Sequence, residues 1–238
     1  MINGNERRAH LELMWGDASR SVAKDTLLPV PARKRMKRKG QARILSRRQL
    51  EMCLAHVRAT SRTPESDELK LLLSHLAGLR ACEIAGLPVE AFLNAEGRVA
   101  KVISVAARYS KSRRSRTIPM HADVRDAFRR FRKAHPEATH VTVDKKSLVL
   151  RPQSANTVSQ WFRRMYLEVG MEGCSSHSGR RTFITELAKR ANNFGNSLRD
   201  VQYLAGHARL DTTERYIDLS DSMVALVASL GDPRKAPN

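Results

Sequence analysis

One stretch, Cys174 to Asp218, carries side chains suited to chemistry on a phosphodiester: His177 and Arg180 in HSGR, His207 in AGH, and Tyr216 in DTTERYI. Arginine grips phosphate oxygens with two parallel N–H bonds. Histidine moves protons near neutral pH. A phenol can attack phosphorus as a nucleophile. These groups need rigid carriers. Phe183, Ile184, Leu187, Ala188 and Ala191 recur at spacings of three and four, which predicts a helix directly after Arg180. Asp211 with Glu214 three residues on reads as a capping box, placing Tyr216 early on a short helix.

The 238-residue chain holds 43 Lys and Arg against 24 Asp and Glu, a net charge of +19 with a pI near 10.7. A polyanion, and nucleic acid first among polyanions, is the implied partner. Three scattered cysteines, Cys53, Cys82 and Cys174, argue for a reducing cytoplasm over a disulfide framework. Cys174 and His177 form half of a zinc motif with no second pair at suitable spacing, so no metal is expected. No apolar run has the length of a membrane span, and the N-terminus lacks the apolar centre of a signal peptide.

The first segment, residues 1–45, reads as a basic extension or linker; within it PVPARKRMKRKG offers Lys34, Arg35, Lys37 and Arg38 to a phosphate backbone. From Ser46 onward the pattern is that of a folded domain, taken to run over residues 46–220, with a C-terminal helix and tail over 221–238. Leu50, Cys53, Leu54 and Val57 mark one helix. A strongly apolar second helix opens at Pro64 and closes at Gly78. Arg80 follows at a turn, with Glu83 placed either to close the helix or to aim Arg80 at a ligand. Asn94 to Gly97 is a turn, and Val99 to Ala106 and Thr117 to Met120 have strand character. Between the strands a basic tip would project Lys111, Arg113, Arg114 and Arg116. Further helices are expected over His121 to Ala134, after a cap at Ser154 or Asn156, over Leu198 to Ala205, and over Met223 to Leu230. Val158, Trp161, Phe162, Met165 and Tyr203 read as core. The fold class is α+β and mainly helical, with a small antiparallel sheet on one side.

Taken in order, GLRACE, YSKSRRSRTIPM, HSGRRTF and VQYLAGHARLDTTERYI resemble the catalytic domain of the tyrosine recombinases, the phage-integrase family, over about residues 46–220. The resemblance implies that Arg80 and Arg180 clamp a scissile phosphate, that Lys111 is the hairpin lysine, and that His177 and His207 are the two histidines. It makes Tyr216 the nucleophile, Glu83 the support of Arg80, and Arg181 a neighbour of the DNA. Gly179-Arg180-Arg181 stands where the family has Leu-Arg-His, and Asn192 to Asn196 lengthens the path to His207. About 45 residues precede the domain, fewer than a helical core-binding domain needs, so the chain resembles a catalytic fragment or a small single-domain recombinase. The implied activity is site-specific cleavage and rejoining of double-stranded DNA through a 3′-phosphotyrosine, without metal, ATP or other cofactor, by a homotetramer on DNA in a bacterial, phage or plasmid setting. Relaxation of the type IB topoisomerase kind and non-catalytic DNA binding on the same fold are the rival functions.

Overall fold

A computed structural model describes residues 42–109, 114–143 and 152–214. Lys34, Arg35, Lys37, Arg38, Lys111, Arg113, Tyr216 and the helix expected over Met223 to Leu230 lie outside the described residues.

Helix α1 (Arg47–Thr60) opens on a capping box: the Gln49 N–H donates to Ser46 Oγ, and the Ser46 N–H donates to Gln49 Oε1 at 2.9 Å. Its inward stripe includes Cys53 and Val57. Helix α2 (Pro64–Leu76) starts with proline at its first turn and is buried on nearly every side. It is the central post, packed by α1, by α4 (Ala122–Ala134) and by α6 (Ser178–Arg190). Polar residues on such a helix need partners. Asp67 pairs with Lys70 and accepts from Ser61 Oγ and Trp161 Nε1, while Lys70 also reaches Gln153 Oε1 at 3.1 Å. Glu68 takes Arg58 and Arg130.

Between α2 and α4 lie the short helix α3 (Ala81–Ala85) and a two-stranded antiparallel hairpin, β1 (Val102–Val105) and β2 (Arg116–Pro119). Val105 faces Arg116, and Ile103 faces Ile118. β1 is shorter than the Val99 to Ala106 expected, because the turn at Asn94 to Gly97 and the bridge of Leu93 to Val99 occupy the chain before it, while β2 has the expected length one residue earlier. The strand period of two sends Ile103, Val105, Ile118 and Arg116 to one buried face.

Helix α5 (Ala155–Glu168) is capped by Ser154, not Asn156, and buries Val158, Trp161, Phe162 and Met165 as expected. Helices α6 and α7 (Leu198–Ala205) share a small core of Ile184, Val201 and Ala205. Tyr203 departs from expectation: it is 56% exposed. Val201 and Ala205 define the inward face of α7, and Tyr203 falls two residues from Val201, about 200° around the helix axis. A short helix, α8 (Asp211–Glu214), begins at Asp211 itself. The N–H groups of Thr213 and Glu214 donate to Leu210 O, so Asp211 is the first helical residue and not the cap.

The start of α6 is pressed onto α2. A Cβ at Gly179 would overlap Ser74 Oγ and come within 2.6 Å of His75 Nδ1. The Gly179→Ala variant is therefore expected to lose about 1–3 kcal/mol from overpacking, read as a lower urea midpoint at unchanged slope.

Candidate active site

Arg80 is the residue before the first turn of α3, with extended backbone at φ −76° and ψ 156°. Its N–H donates to Glu83 Oε2 at 2.8 Å, and its guanidinium donates to Glu83 Oε1 at 3.0 Å. Glu83 thus closes the helix and aims the side chain in one move, joining the two roles that the sequence left open. The Arg80 side chain keeps 17% exposure, enough to meet a ligand.

Arg180 sits in the first turn of α6 and is almost wholly buried. It donates to Gly78 O, two residues before Arg80, and to Ala205 O, two residues before His207. One guanidinium therefore sets the distance between the turn carrying Arg80 and the turn carrying His207. His177, three residues before Arg180, caps the same helix and is exposed. Its N–H donates to Ser175 Oγ at 3.3 Å.

His207 follows Gly206, whose left-handed backbone (φ +62°) ends α7. Its Nδ1 lies 2.9 Å from Thr213 Oγ1. When the Thr213 hydroxyl donates there, Nε2 carries the proton and becomes a donor toward the site. Burial and the charges of Arg180, Arg80 and Arg116, opposed by Glu83, lower the imidazole to about 4, so it is neutral at neutral pH. Thr213 is fully buried. No motif singled it out in the sequence; its position six residues after His207, across one tight turn, was the available signal.

One basic residue is corrected. Arg116, expected on the exposed hairpin tip with Arg114, has a side chain only 2% exposed. It is turned inward by the strand alternation that buries Ile118, and it ion-pairs with Glu83. Arg181 is half-buried and donates to Ala42 O at 2.8 Å, anchoring the chain ahead of α1. Arg114 is exposed, as expected.

Burial alone would raise the Glu83 carboxyl; bonds and charge from Arg116 and Arg80 overcome this and hold it below the usual range. One fully buried anion thus pairs with Arg80 and Arg116, and these cations together with Arg180 act on the neutral His207. The surplus is cationic, and its open members, Arg80 and His207, are donors. Such a site suits a phosphate ester gaining charge at its oxygens.

Among the described residues the domain is mainly helical with one two-stranded hairpin, and it brings Arg80, Arg180 and His207 together. The sequence model of the Phage integrase family matches residues 43–223, and the chain belongs to that family. Tyrosine recombinase XerA of Pyrococcus horikoshii is 30% identical over 151 residues, which is 63% of this chain and 49% of that protein. The chain thus spans about half the length of that relative. Among solved structures, the Tn1549 transposon integrase in complex with a circular intermediate DNA matches with a TM-score of 0.63 at 21% identity, over 81% of this chain and 67% of that one. The XerA recombinase crystal structure gives a TM-score of 0.62 at 17% identity, over 83% and 68%. These likenesses show a shared tyrosine-recombinase catalytic fold.

His75, buried under α6, is also lowered to about 4, by burial against a raising bond to Leu71 O. Both histidines hold fewer protons folded than unfolded between pH ~6.5 and ~4, so stability must fall as pH drops through that window. Thermal midpoints measured from pH 7 to 4 should decline, with close to two protons taken up on unfolding near pH 5. A flat profile would contradict the burial of these imidazoles.

Proposed function

We propose that this protein is a site-specific DNA recombinase, an integrase or invertase, that cuts and rejoins DNA through a 3′-phosphotyrosine. The observation that carries this reading is the Arg180 guanidinium bridging Gly78 O and Ala205 O, which gathers Arg80 and His207 around one anion-binding site. Family membership and the DNA complex of the Tn1549 integrase support DNA as the substrate.

In this reading the Tyr216 oxygen attacks phosphorus and forms the O–P bond as the bond from phosphorus to the 5′ oxygen breaks. A phenol of pKa ~10 is mostly protonated at neutral pH, so His177, exposed at the mouth of α6, removes its proton. Lys111 protonates the departing 5′ oxygen. Arg80 and the neutral His207 donate to the non-bridging oxygens, and Arg180 supplies fixed positive charge and holds their spacing. The phosphotyrosine keeps the ester bond, so a 5′ hydroxyl can reverse the step without ATP, and the cations do the work of a metal. Residues 46–220 form the catalytic domain in this reading, residues 1–45 a basic arm along the phosphate backbone, and residues 221–238 a docking tail. The host DNA is bacterial, phage or plasmid DNA in the cytoplasm; no helix among the described residues is long and apolar enough to cross a membrane.

Assembly on DNA as a homotetramer follows from the same reading. An apolar groove of about 730 Å³, lined by Leu50, Leu54, Leu76, Met120, Phe183 and Leu187, offers a seat for Met223 to Leu230 of a second copy. Truncation after Ser220 should weaken assembly on DNA while the thermal midpoint stays; unchanged assembly would reject the docking.

The deciding experiment is a nicked suicide duplex taken from DNA flanking the gene. The wild-type chain should form a covalent adduct, and Tyr216→Phe should form none while still binding; adducts in the variant would overturn the assignment. Supercoil relaxation by a monomer without strand exchange would favour the topoisomerase alternative. Binding should weaken with salt by about 0.9 log units per log unit for each phosphate neutralised.

A further inference from the structure

Strand β2 delivers Arg116 to the inside of the fold, where separate chain segments meet at its guanidinium. Its terminal nitrogens donate to Glu83 Oε1 and Oε2, both at 2.9 Å, in a two-pronged pair. Its Nε donates to Leu204 O at 3.1 Å, at the end of α7. Glu83 is in turn the carboxylate that holds Arg80. Gly206, just before His207, closes on the same guanidinium: a Cβ there would come within 3.0 Å of one terminal nitrogen and 3.1 Å of the central carbon. This glycine is required twice, by its positive φ and by the arginine lying against it.

We propose that Arg116 is a positioning residue for strand cleavage: its guanidinium locks the Glu83 carboxylate that aims Arg80 and seats the Gly206–His207 turn, so hairpin strand, first arginine and second histidine hold one geometry. This rests on the recombinase reading for the reaction, while the coupling itself is a property of the free protein. An apolar pair in place of both Arg116 and Glu83 would fill the space at lower desolvation cost. What arginine adds is direction, because a planar fork fixes a carboxylate in orientation and an ammonium does not. Arg116 stands five residues after Lys111 on the same hairpin, so the strand that leads from the proposed proton donor is pinned to the residues gripping the phosphate.

The test uses two variants of the full chain. Arg116→Lys keeps the charge and loses the fork. It should fold and bind DNA as the wild type does, yet form adduct on a saturating nicked duplex about 100-fold more slowly, the scale of a misplaced catalytic group. Adduct formation at the wild-type rate would overturn the proposal. Arg116→Met removes the charge, and its readout is the His207 imidazole titration followed by NMR in free protein. The charged groups facing that ring are Arg180, Arg80, Arg116 and Glu83, with Thr213 on Nδ1. Taking away one cation must raise its pKa, whereas Arg116→Lys should leave it near the wild-type value. An unmoved titration in the folded Met variant would overturn the coupling. If the Met variant fails to fold, the Lys variant decides by its rate. If the wild-type chain forms no adduct with any duplex, the recombinase reading fails, and the coupling stands or falls on the titration alone.

Discussion

A single buried carboxylate, Glu83, organises the site. It has no exposed surface and accepts from two guanidiniums and one backbone N–H. An unpaired carboxylate there would be untenable, and removing one partner of such a pair commonly destabilises by about 3–5 kcal/mol. The requirement runs in both directions. Arg116 cannot be buried on β2 without Glu83, and Arg80 has no fixed direction without it. The hairpin, the turn after α2 and helix α3 are therefore held in register by electrostatics at one point, where side-chain packing alone would permit sliding.

Arg180 does a second job of the same kind with backbone acceptors. By donating to Gly78 O and Ala205 O it satisfies one carbonyl just past α2 and one at the end of α7. Helix ends are where the chain can change direction, and Arg80 and His207 lie two residues beyond these carbonyls. The arrangement explains the glycines around the site. Gly78 has a φ of +62° and lies against the Phe183 ring, and Gly179 lets α6 approach Ser74 and His75.

The charge pattern follows from these contacts. Cations crowd because one anion and several carbonyls neutralise part of their repulsion, leaving a net positive site open through Arg80. The same cations, with burial, keep His207 neutral and leave one ring nitrogen as a donor, given the bond to Thr213. A site with this field needs little rearrangement to receive a phosphate gaining charge, which is the sense in which the fold prepares the chemistry.

The local elements were legible in the residues: the helices from period-three-and-four apolar positions, the start at Pro64, the stop at Gly206, and the turn at Asn94 to Gly97. Arg80, Glu83, His177, Arg180 and His207 were singled out by ordered motifs that resemble the family, and the structure sets these motifs at helix ends. What depended on the tertiary structure was partner choice. Arg116 looked like one more basic residue on an open tip, and its burial follows only once β2 is paired with Ile118 facing inward. Tyr203 looked apolar enough for core until α7 chose Val201 and Ala205 as its inner face. Arg181 found the carbonyl of Ala42, 139 residues away in sequence. Spacing along a chain dictates which side chains share a face; which charge meets which carboxylate is decided by long-range packing, because that energy exists only when distant segments exclude water together.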